Sequence, residues 1–338
     1  MPLLLFLAFL VRLFLLPLPG FGIDINDWMA WANHLLAVGP ARFYGTIWCD
    51  YLPAYLYVLW FLADLHRFIP NLPYEVLMKI PAVLADLGIG FFIYQTVKEN
   101  RSSRLALLTA GLFLFNPFTF FNSAIWGQID SVFSLSLLSS VFLLFKKREK
   151  LSFVVLGVSC LLKPQAIFFL PLFILWMVTK KATVGEMIIN LFAFAGSIFL
   201  ISLPFFPQNP LSGLMQLTIK SSNTYPYTSL FAVNLWGLLG TWKPDNLNFM
   251  GLSYQFWGFL LLIVGLIFTY FLYWQKKNVM FFFFSAALIV LMFFMLPTRV
   301  HERWLYAFFP FFLITAALTN KRKIWFGYGI LSVTTSNF

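Results

Sequence analysis

The chain has 338 residues, of which 61% are hydrophobic and only 10% are charged, and its formal net charge is +11. A soluble domain carries about 25% charged residues, so this composition excludes a soluble globular domain, a disordered chain and a coiled coil. The two cysteines and three histidines are too few for a disulfide scaffold or a His-rich metal site.

Apolar runs that could cross a bilayer recur along the chain and predict an all-α polytopic membrane protein with about 10–11 transmembrane helices. We expect the first run to be retained as a span, because Arg12 interrupts it and no A-x-A cleavage site follows. A last run from Ile324 to Phe338 is short for a crossing. The predicted spans cover residues 3–19, 75–97, 105–121, 131–145, 151–162, 165–179, 187–204, 253–274, 279–297 and 304–319.

Basic residues predict the orientation of the chain. If the run from Tyr51 to Phe61 does not cross the membrane, 14 of the 23 Lys and Arg residues fall in loops on one side. The positive-inside rule makes that side cytoplasmic. The predicted cytoplasmic loops are 98–104, 146–150, 180–186, 275–278 and 320–323.

Two long loops are then predicted on the outer side, within one transmembrane domain covering residues 1–338. They span 20–73 and 205–252 and are rich in aromatic residues, which favours juxtamembrane helices over disorder. In the first loop, the spacing of Trp28, Trp31 and Leu35 predicts one face of a helix.

Acidic residues gather on the predicted outer side, and the pair Asp24 and Asp27 follows the first span directly. Two carboxylates three residues apart can supply a general base or bind a metal. The alternative is that Asp27 caps the helix that follows.

Two further outer segments carry polar residues next to apolar runs. In FNSAIWGQIDS these are Trp126, Gln128 and Asp130, with helix capping by Asp130 as the alternative. In LLKPQ they are Lys163 and Gln165, where the alternative is a lysine that extends to the interface. Pro164 is expected to break the helix.

The segment MLPTRVHERW predicts a phosphate site between two late spans. Arg299, His301 and Arg303 offer cations, and arginine matches phosphate oxygens bidentately. A structural turn with an internal Glu302–Arg303 pair is the alternative.

One charged pair is predicted inside the membrane. Lys79 and Asp86 lie seven residues apart on one predicted span and therefore share a helix face. Ionisable groups at this depth normally have partners, so we expect these two to pair with each other.

The ordered segments resemble the GT-C membrane glycosyltransferases. The similarity is greatest to the dolichyl-phosphate-glucose-dependent glucosyltransferases of N-glycan assembly, and the GPI-mannosyltransferase-like proteins of bacteria and archaea are related. It covers roughly residues 20–310. The segments are Asp24, DYLPAYLY at 50–57, KIPAVLADLGIG at 79–90, WGQIDS at 126–131, KPQ at 163–165 and HERW at 301–304.

The resemblance implies a GT-C-like fold and an inverting transfer of glucose or mannose from a polyprenyl-phosphate donor to a lipid-linked glycan or other extracytoplasmic acceptor. It implies Asp24 as the catalytic base, with Asp27 as the second choice. Near the donor phosphate it implies His301 and Glu302. The remaining candidates are the phosphate-binding residues Lys163, Gln165, Arg299 and Arg303, and the supporting residues Tyr51, Trp126, Gln128 and Asp130.

The expected partners are the sugar donor, the acceptor and membrane lipid, and no nucleic acid. No cofactor is implied, and a divalent metal at the carboxylates stays open. The expected location is the plasma membrane of a bacterium or archaeon, or the endoplasmic reticulum of a eukaryote, with the active site on the extracytoplasmic face. The alternative functions are a transporter or lipid-linked oligosaccharide flippase, and a non-catalytic scaffold.

Overall fold

The computed structural model describes residues 1–319 and is almost entirely helical. The predicted cytoplasmic loop at 320–323 and the short run 324–338 lie outside the described residues. In chain order the helices are α1 (Pro2–Leu15), α2 (Gly22–Val38), α3 (Pro40–Thr46), α4 (Pro53–Phe68), α5 (Tyr74–Asn100), α6 (Ser103–Leu114), α7 (Pro117–Phe120), α8 (Asp130–Phe145), α9 (Glu149–Leu162), α10 (Leu170–Thr179), α11 (Val184–Ser202), α12 (Pro210–Ser222), α13 (Tyr254–Lys276), α14 (Val279–Met295) and α15 (Phe308–Thr319).

Shorter helical turns and one antiparallel ribbon complete the described secondary structure. The ribbon pairs β1 (Asn248–Phe249) with β2 (Leu252–Ser253). A π-helix covers Phe121–Trp126, and the 3₁₀ turns cover Pro164–Phe169, Gly237–Leu239 and Glu302–Leu305.

The protein is an all-α polytopic membrane protein, as the apolar runs predict. Within residues 1–319, α5, α11 and α13 are long and apolar enough to cross a membrane, and α6 joined to Pro117–Trp126 forms a fourth candidate bent by 50°. Shorter apolar helices are α1, α8, α14 and the stretch Pro164–Thr179. The total of 10–11 crossings therefore stays a prediction.

Prolines explain why two predicted spans are interrupted. The run 105–121 is divided because α6 ends at Leu114 and Pro117 starts a new helix. The run 165–179 begins within a 3₁₀ turn that starts at Pro164, as expected from a residue that cannot donate a backbone hydrogen bond.

The chain divides into two compact units. The first comprises residues 1–92, 114–166 and 188–221, and the second comprises 93–113, 167–187 and the residues from 222 onward. The single-domain organisation stays a prediction.

In the first unit, α2 packs on α4, and α8 packs on α9. The apolar face predicted for α2 is confirmed, because Trp28, Trp31 and Leu35 are all buried. The segment 20–73, predicted as an outer loop, consists mostly of helices α2, α3 and α4.

In the second unit, α14 packs between α13 and α15, and α10 contacts α13 and α14. Gly258 of α13 permits one close approach, since a Cβ there would lie 2.9 Å from the backbone nitrogen of Thr298. Aromatic side chains such as Phe282, Phe283 and Phe311 fill the buried interior.

Candidate active site

Asp24 lies in the first turn of α2. The helix begins at Gly22 and its N-cap is Phe21, which makes no side-chain capping bond. A carboxylate in the first turn is stabilised by the positive end of the helix dipole. The predicted capping role of Asp27 is wrong, because the helix starts five residues before it.

The turn that faces Asp24 is built by a π-helix. Asn116 caps α7 by accepting a hydrogen bond from the Phe118 backbone at 3.0 Å, and the π-helix follows at Phe121–Trp126. Gly127 follows the π-helix, and its φ of +81° is in the left-handed region. A Cβ at Gly127 would lie 2.7 Å from Cγ of Lys79, so both the backbone angle and the packing require glycine.

The turn donates two hydrogen bonds to one oxygen of Asp24. Trp126 Nε1 lies 3.3 Å from Asp24 Oδ2, and Gln128 donates its side-chain amide to the same oxygen. Gln128 is fully buried, whereas Asp24 is half-buried. Residues about 100 positions apart are thus brought together, as their predicted common outer position suggested.

Asp27 is the second carboxylate on α2 and is half-buried. Burial, and then the nearby Asp24 carboxylate, raise the pKa of Asp27 above its ordinary value of 3.8. The two acidic groups therefore differ in surroundings: Asp24 has neutral donors, and Asp27 has a neighbouring negative charge.

Asp130 and Lys163 form an ion pair in the same unit. Lys163 Nζ lies 2.5 Å from Asp130 Oδ1, and the side chains are 11% and 2% exposed. Asp130 is the first residue of α8, and Lys163 follows the last residue of α9 in an extended conformation. Gln165 follows in the 3₁₀ turn and is half-buried.

Tyr51 belongs to an aromatic cluster between α2 and α4. Its ring centroid lies 5.1 Å from that of Trp31, 6.0 Å from Tyr55 and 6.5 Å from Trp28. Trp31 also donates to the Trp48 carbonyl at 2.8 Å. Tyr51 therefore supports the position of α2, the helix that carries Asp24.

In the second unit, Arg299 is anchored to Asp245. Its Nε lies 2.7 Å from Asp245 Oδ2 and its Nη2 lies 3.2 Å from Oδ1, a bidentate arrangement. Nη1 donates to Ser222 O and to Asn223 Oδ1. Arg299 has a φ of +66°, and these contacts stabilise that uncommon backbone conformation.

The HERW turn lies two residues further along. Arg303 Nη1 is 3.3 Å from His301 Nδ1, and it donates a hydrogen bond to Glu302 Oε1 at 3.4 Å. Tyr225 contacts the His301 ring edge-on, with 5.6 Å between centroids. The predicted Glu302–Arg303 pair is present, and it places a carboxylate beside two cationic or ionisable groups.

The buried charges of α5 differ from the prediction. Asp86 pairs with Arg12 rather than with Lys79, at 2.7 Å, and Lys79 pairs with Glu75 at 2.9 Å. The i,i+4 spacing of Glu75 and Lys79 gave a signal for the second pair. For the Arg12–Asp86 pair, the only signal in the sequence was the position of Arg12 within an apolar run.

The sequence also missed Asp245 as a partner. Asp245 is only 1% exposed, and besides pairing with Arg299 it accepts a hydrogen bond from Thr298 at 2.8 Å. A lone carboxylate in one long loop and an unmatched arginine elsewhere were the available signal.

No curated protein matches the chain. The sequence model of glycosyltransferase family 87 matches residues 48–297. This range contains Tyr51, the turn 126–130 and Lys163, whereas Asp24 and the HERW turn lie outside it. Because the match covers most of its length, this membrane protein belongs to glycosyltransferase family 87.

Proposed function

We propose that the protein is an inverting GT-C-type hexosyltransferase that uses a polyprenyl-phosphate donor. It transfers glucose or mannose to a lipid-linked glycan or another acceptor on the extracytoplasmic face. Family membership supports glycosyl transfer, and the apolar helices support a donor whose lipid tail lies in the bilayer.

The observation that carries the proposal is the asymmetric anchoring of Asp24. Trp126 and Gln128 both donate to Oδ2. Within residues 1–319 no side chain or backbone group donates to Oδ1, so that oxygen is the one that accepts a proton. A carboxylate that is held through one oxygen and belongs to a half-buried side chain suits a general base.

The reaction is a single displacement. The acceptor oxygen attacks the anomeric carbon while the bond from that carbon to the donor phosphate oxygen breaks, and the configuration inverts. Asp24 takes the hydroxyl proton during attack, because an unactivated hydroxyl has a pKa far above 7. Polyprenyl phosphate leaves with its added negative charge.

The leaving phosphate requires fixed positive charge. We assign this to His301 and Arg303, which lie within 3.3 Å of each other in one turn. Glu302 orients Arg303 rather than facing the phosphate, since two negative groups would repel. Arg299 holds the turn, because all three of its guanidinium nitrogens contact protein acceptors.

Lys163 and Gln165 are also assigned to the donor phosphate, and Lys163 is at the same time paired with Asp130. An ion-paired lysine still presents further N–H donors. Trp126, Gln128 and Tyr51 support the base.

The test is transfer by purified protein in lipid, with radiolabelled polyprenyl-phosphate glucose and mannose offered with lipid-linked and peptide acceptors. Asp24→Asn keeps the size of the side chain and loses the base, so turnover is expected to fall roughly 10²–10⁴-fold with donor binding little changed. The matched control is Asp64→Asn, an exposed carboxylate in the same loop, which is expected to retain turnover.

Two outcomes would contradict this assignment. If Asp27→Asn loses turnover and Asp24→Asn does not, the base is Asp27. If neither substitution matters, the site lies elsewhere. If the donor moves across the bilayer and no glycosylated product forms, the result would instead support the transporter alternative. Membership of a glycosyltransferase family disfavours that alternative.

A further inference from the structure

A fully buried ion pair between Arg12 and Asp86 contacts the π-helix that leads to Trp126 and Gln128. Arg12 Nη2 is 2.7 Å and Nε is 2.8 Å from Oδ2 of Asp86, and neither side chain is exposed. Nη1 of Arg12 donates to the carbonyls of Ala8 at 3.2 Å and Leu114 at 2.9 Å. The pair therefore joins α1, α5 and the end of α6.

The hydroxyl of Ser123 connects the ion pair to the π-helix. Ser123 Oγ donates to the same Asp86 oxygen at 2.6 Å, and Ser123 is fully buried. Ser123 precedes Trp126 by three residues and Gln128 by five. Asp86 is thus connected through the π-helix to both donors of Asp24.

A second contact holds the other end of the turn on α5. Gly127 packs against Lys79, whose Nζ donates to Leu18 O at 2.6 Å and pairs with Glu75. Glu75 in turn accepts a hydrogen bond from Gly20 N at 2.7 Å, just before α2 begins. Both the turn and the start of α2 are therefore positioned on one helix.

We infer that Asp86, held in place by Arg12, is a positioning residue that sets Trp126 and Gln128 against Asp24 through Ser123. This inference rests on the proposed role of Asp24 as the base. Buried ion pairs often contribute no more to stability than apolar residues of the same volume, and geometric specificity is the role that this inference gives to the Arg12–Asp86 pair. A misplacement of about 1 Å in a catalytic group can cost roughly 10²-fold in rate.

Ser123→Ala tests the connection with little change in packing. The expected result is a turnover number lowered about tenfold or more, with the donor KM within about twofold of the parent. The matched control is Ser134→Ala, because Ser134 is also fully buried and its hydroxyl has no hydrogen-bond partner within the described residues. That variant is expected to retain the parental turnover number.

The distinguishing measurement is a double-mutant cycle in single-turnover transfer. If Ser123 acts only by positioning the donors of Asp24, Ser123→Ala has no further effect in an Asp24→Asn background. A merely structural role would lower the rate by the same factor in both backgrounds, and that result overturns the inference. The inference is also overturned if Ser123→Ala keeps the parental turnover number while Asp24→Asn is impaired. Parental turnover of Asp24→Asn overturns the proposed function as well.

A second variant tests Asp86 and Arg12 themselves. Arg12→Met combined with Asp86→Leu replaces the pair with apolar side chains, which buried sites usually accept. We expect this variant to fold, to show the turnover number of Ser123→Ala, and to be insensitive to adding Ser123→Ala. A tenfold further loss on adding Ser123→Ala would show that Ser123 acts without Asp86, and would overturn the role of the pair.

Discussion

The ammonium of Lys163 lies 2.5 Å from the carboxylate of Asp130, and the two residues come from the C-terminal end of α9 and the N-terminal end of α8. The ion pair joins the adjacent ends of α8 and α9, which pack against each other. Lys163 therefore has two separable roles: it neutralises a buried carboxylate, and by our proposal it binds the donor phosphate.

Lys163→Met is expected to lower the free energy of unfolding by roughly 3–5 kcal/mol, because it leaves the buried Asp130 carboxylate without this cation. Adding Asp130→Asn removes the negative charge and is expected to restore most of that loss. Denaturant unfolding in detergent measures both. The control is Arg67→Met, whose exposed pair with Asp64 is expected to contribute less than about 1 kcal/mol.

The same double variant separates the two roles of Lys163. If Lys163 contacts the donor phosphate, the double variant regains stability yet binds the donor more weakly than the parent. Recovery of both stability and donor binding would leave the lysine with a structural role alone.

Arg303→Lys keeps the positive charge and loses the planar fork, so we expect donor binding weakened about tenfold if the phosphate contact is bidentate. His301→Ala is expected to weaken it similarly without changing which acceptor is used. Equilibrium binding and single-turnover transfer in lipid measure these effects. If both variants bind and use the donor like the parent, the HERW turn has only a structural role.

Arg299→Lys serves as the contrast for Arg303→Lys. Arg299 holds Asp245 through two guanidinium nitrogens, and a single ammonium cannot reproduce that geometry. We expect a lower unfolding temperature with donor affinity close to that of the parent. If Arg299→Lys keeps the parental stability and binds the donor more weakly, Arg299 contacts the donor phosphate.

The raised pKa of Asp27 predicts a pH-dependent effect on stability. Because the folded state holds the proton more tightly than the unfolded state, the free energy of unfolding falls as the pH rises from below 3.8 through the raised pKa. Above that pKa the decrease in the free energy of unfolding is complete. Asp27→Asn abolishes this decrease, so the variant is expected to be more stable than the parent at pH 7 and equal to it below pH 3.8.

Thermal unfolding at several pH values measures the effect of Asp27→Asn. Part of the pKa shift comes from the Asp24 charge and is screened by salt, so the advantage of the variant should shrink at high ionic strength. A variant less stable than the parent at pH 7 would show that the Asp27 carboxylate has a stabilising contact.

The predicted orientation of α5 is tested by single cysteines at its two ends. Asn71 and Ser103 are exposed, whereas Cys49 and Cys160 are buried and are replaced in the background protein. An impermeant maleimide added outside intact cells is expected to label Asn71→Cys, and Ser103→Cys only after permeabilisation. Labelling of both positions from one side would exclude the predicted orientation.

The helical, membrane-embedded nature of this protein follows from local sequence alone, because hydropathy and the length of an apolar run are properties of adjacent residues. The same holds for breaks at Pro117 and Pro164, where the missing backbone N–H interrupts the helix regardless of its surroundings. Asp24 and the segment 126–130 were also identifiable as polar segments that follow apolar runs.

Only the tertiary structure decided which charges pair when they lie far apart in the sequence. Arg12 meets Asp86, Asp130 meets Lys163 and Asp245 meets Arg299 across separations of 33 to 74 residues. Helical periodicity placed Lys79 and Asp86 on one face, but a buried charge takes whichever partner helix packing brings within about 3 Å. That distance depends on how separate helices assemble, and the residues adjacent to each charge in the chain do not determine it.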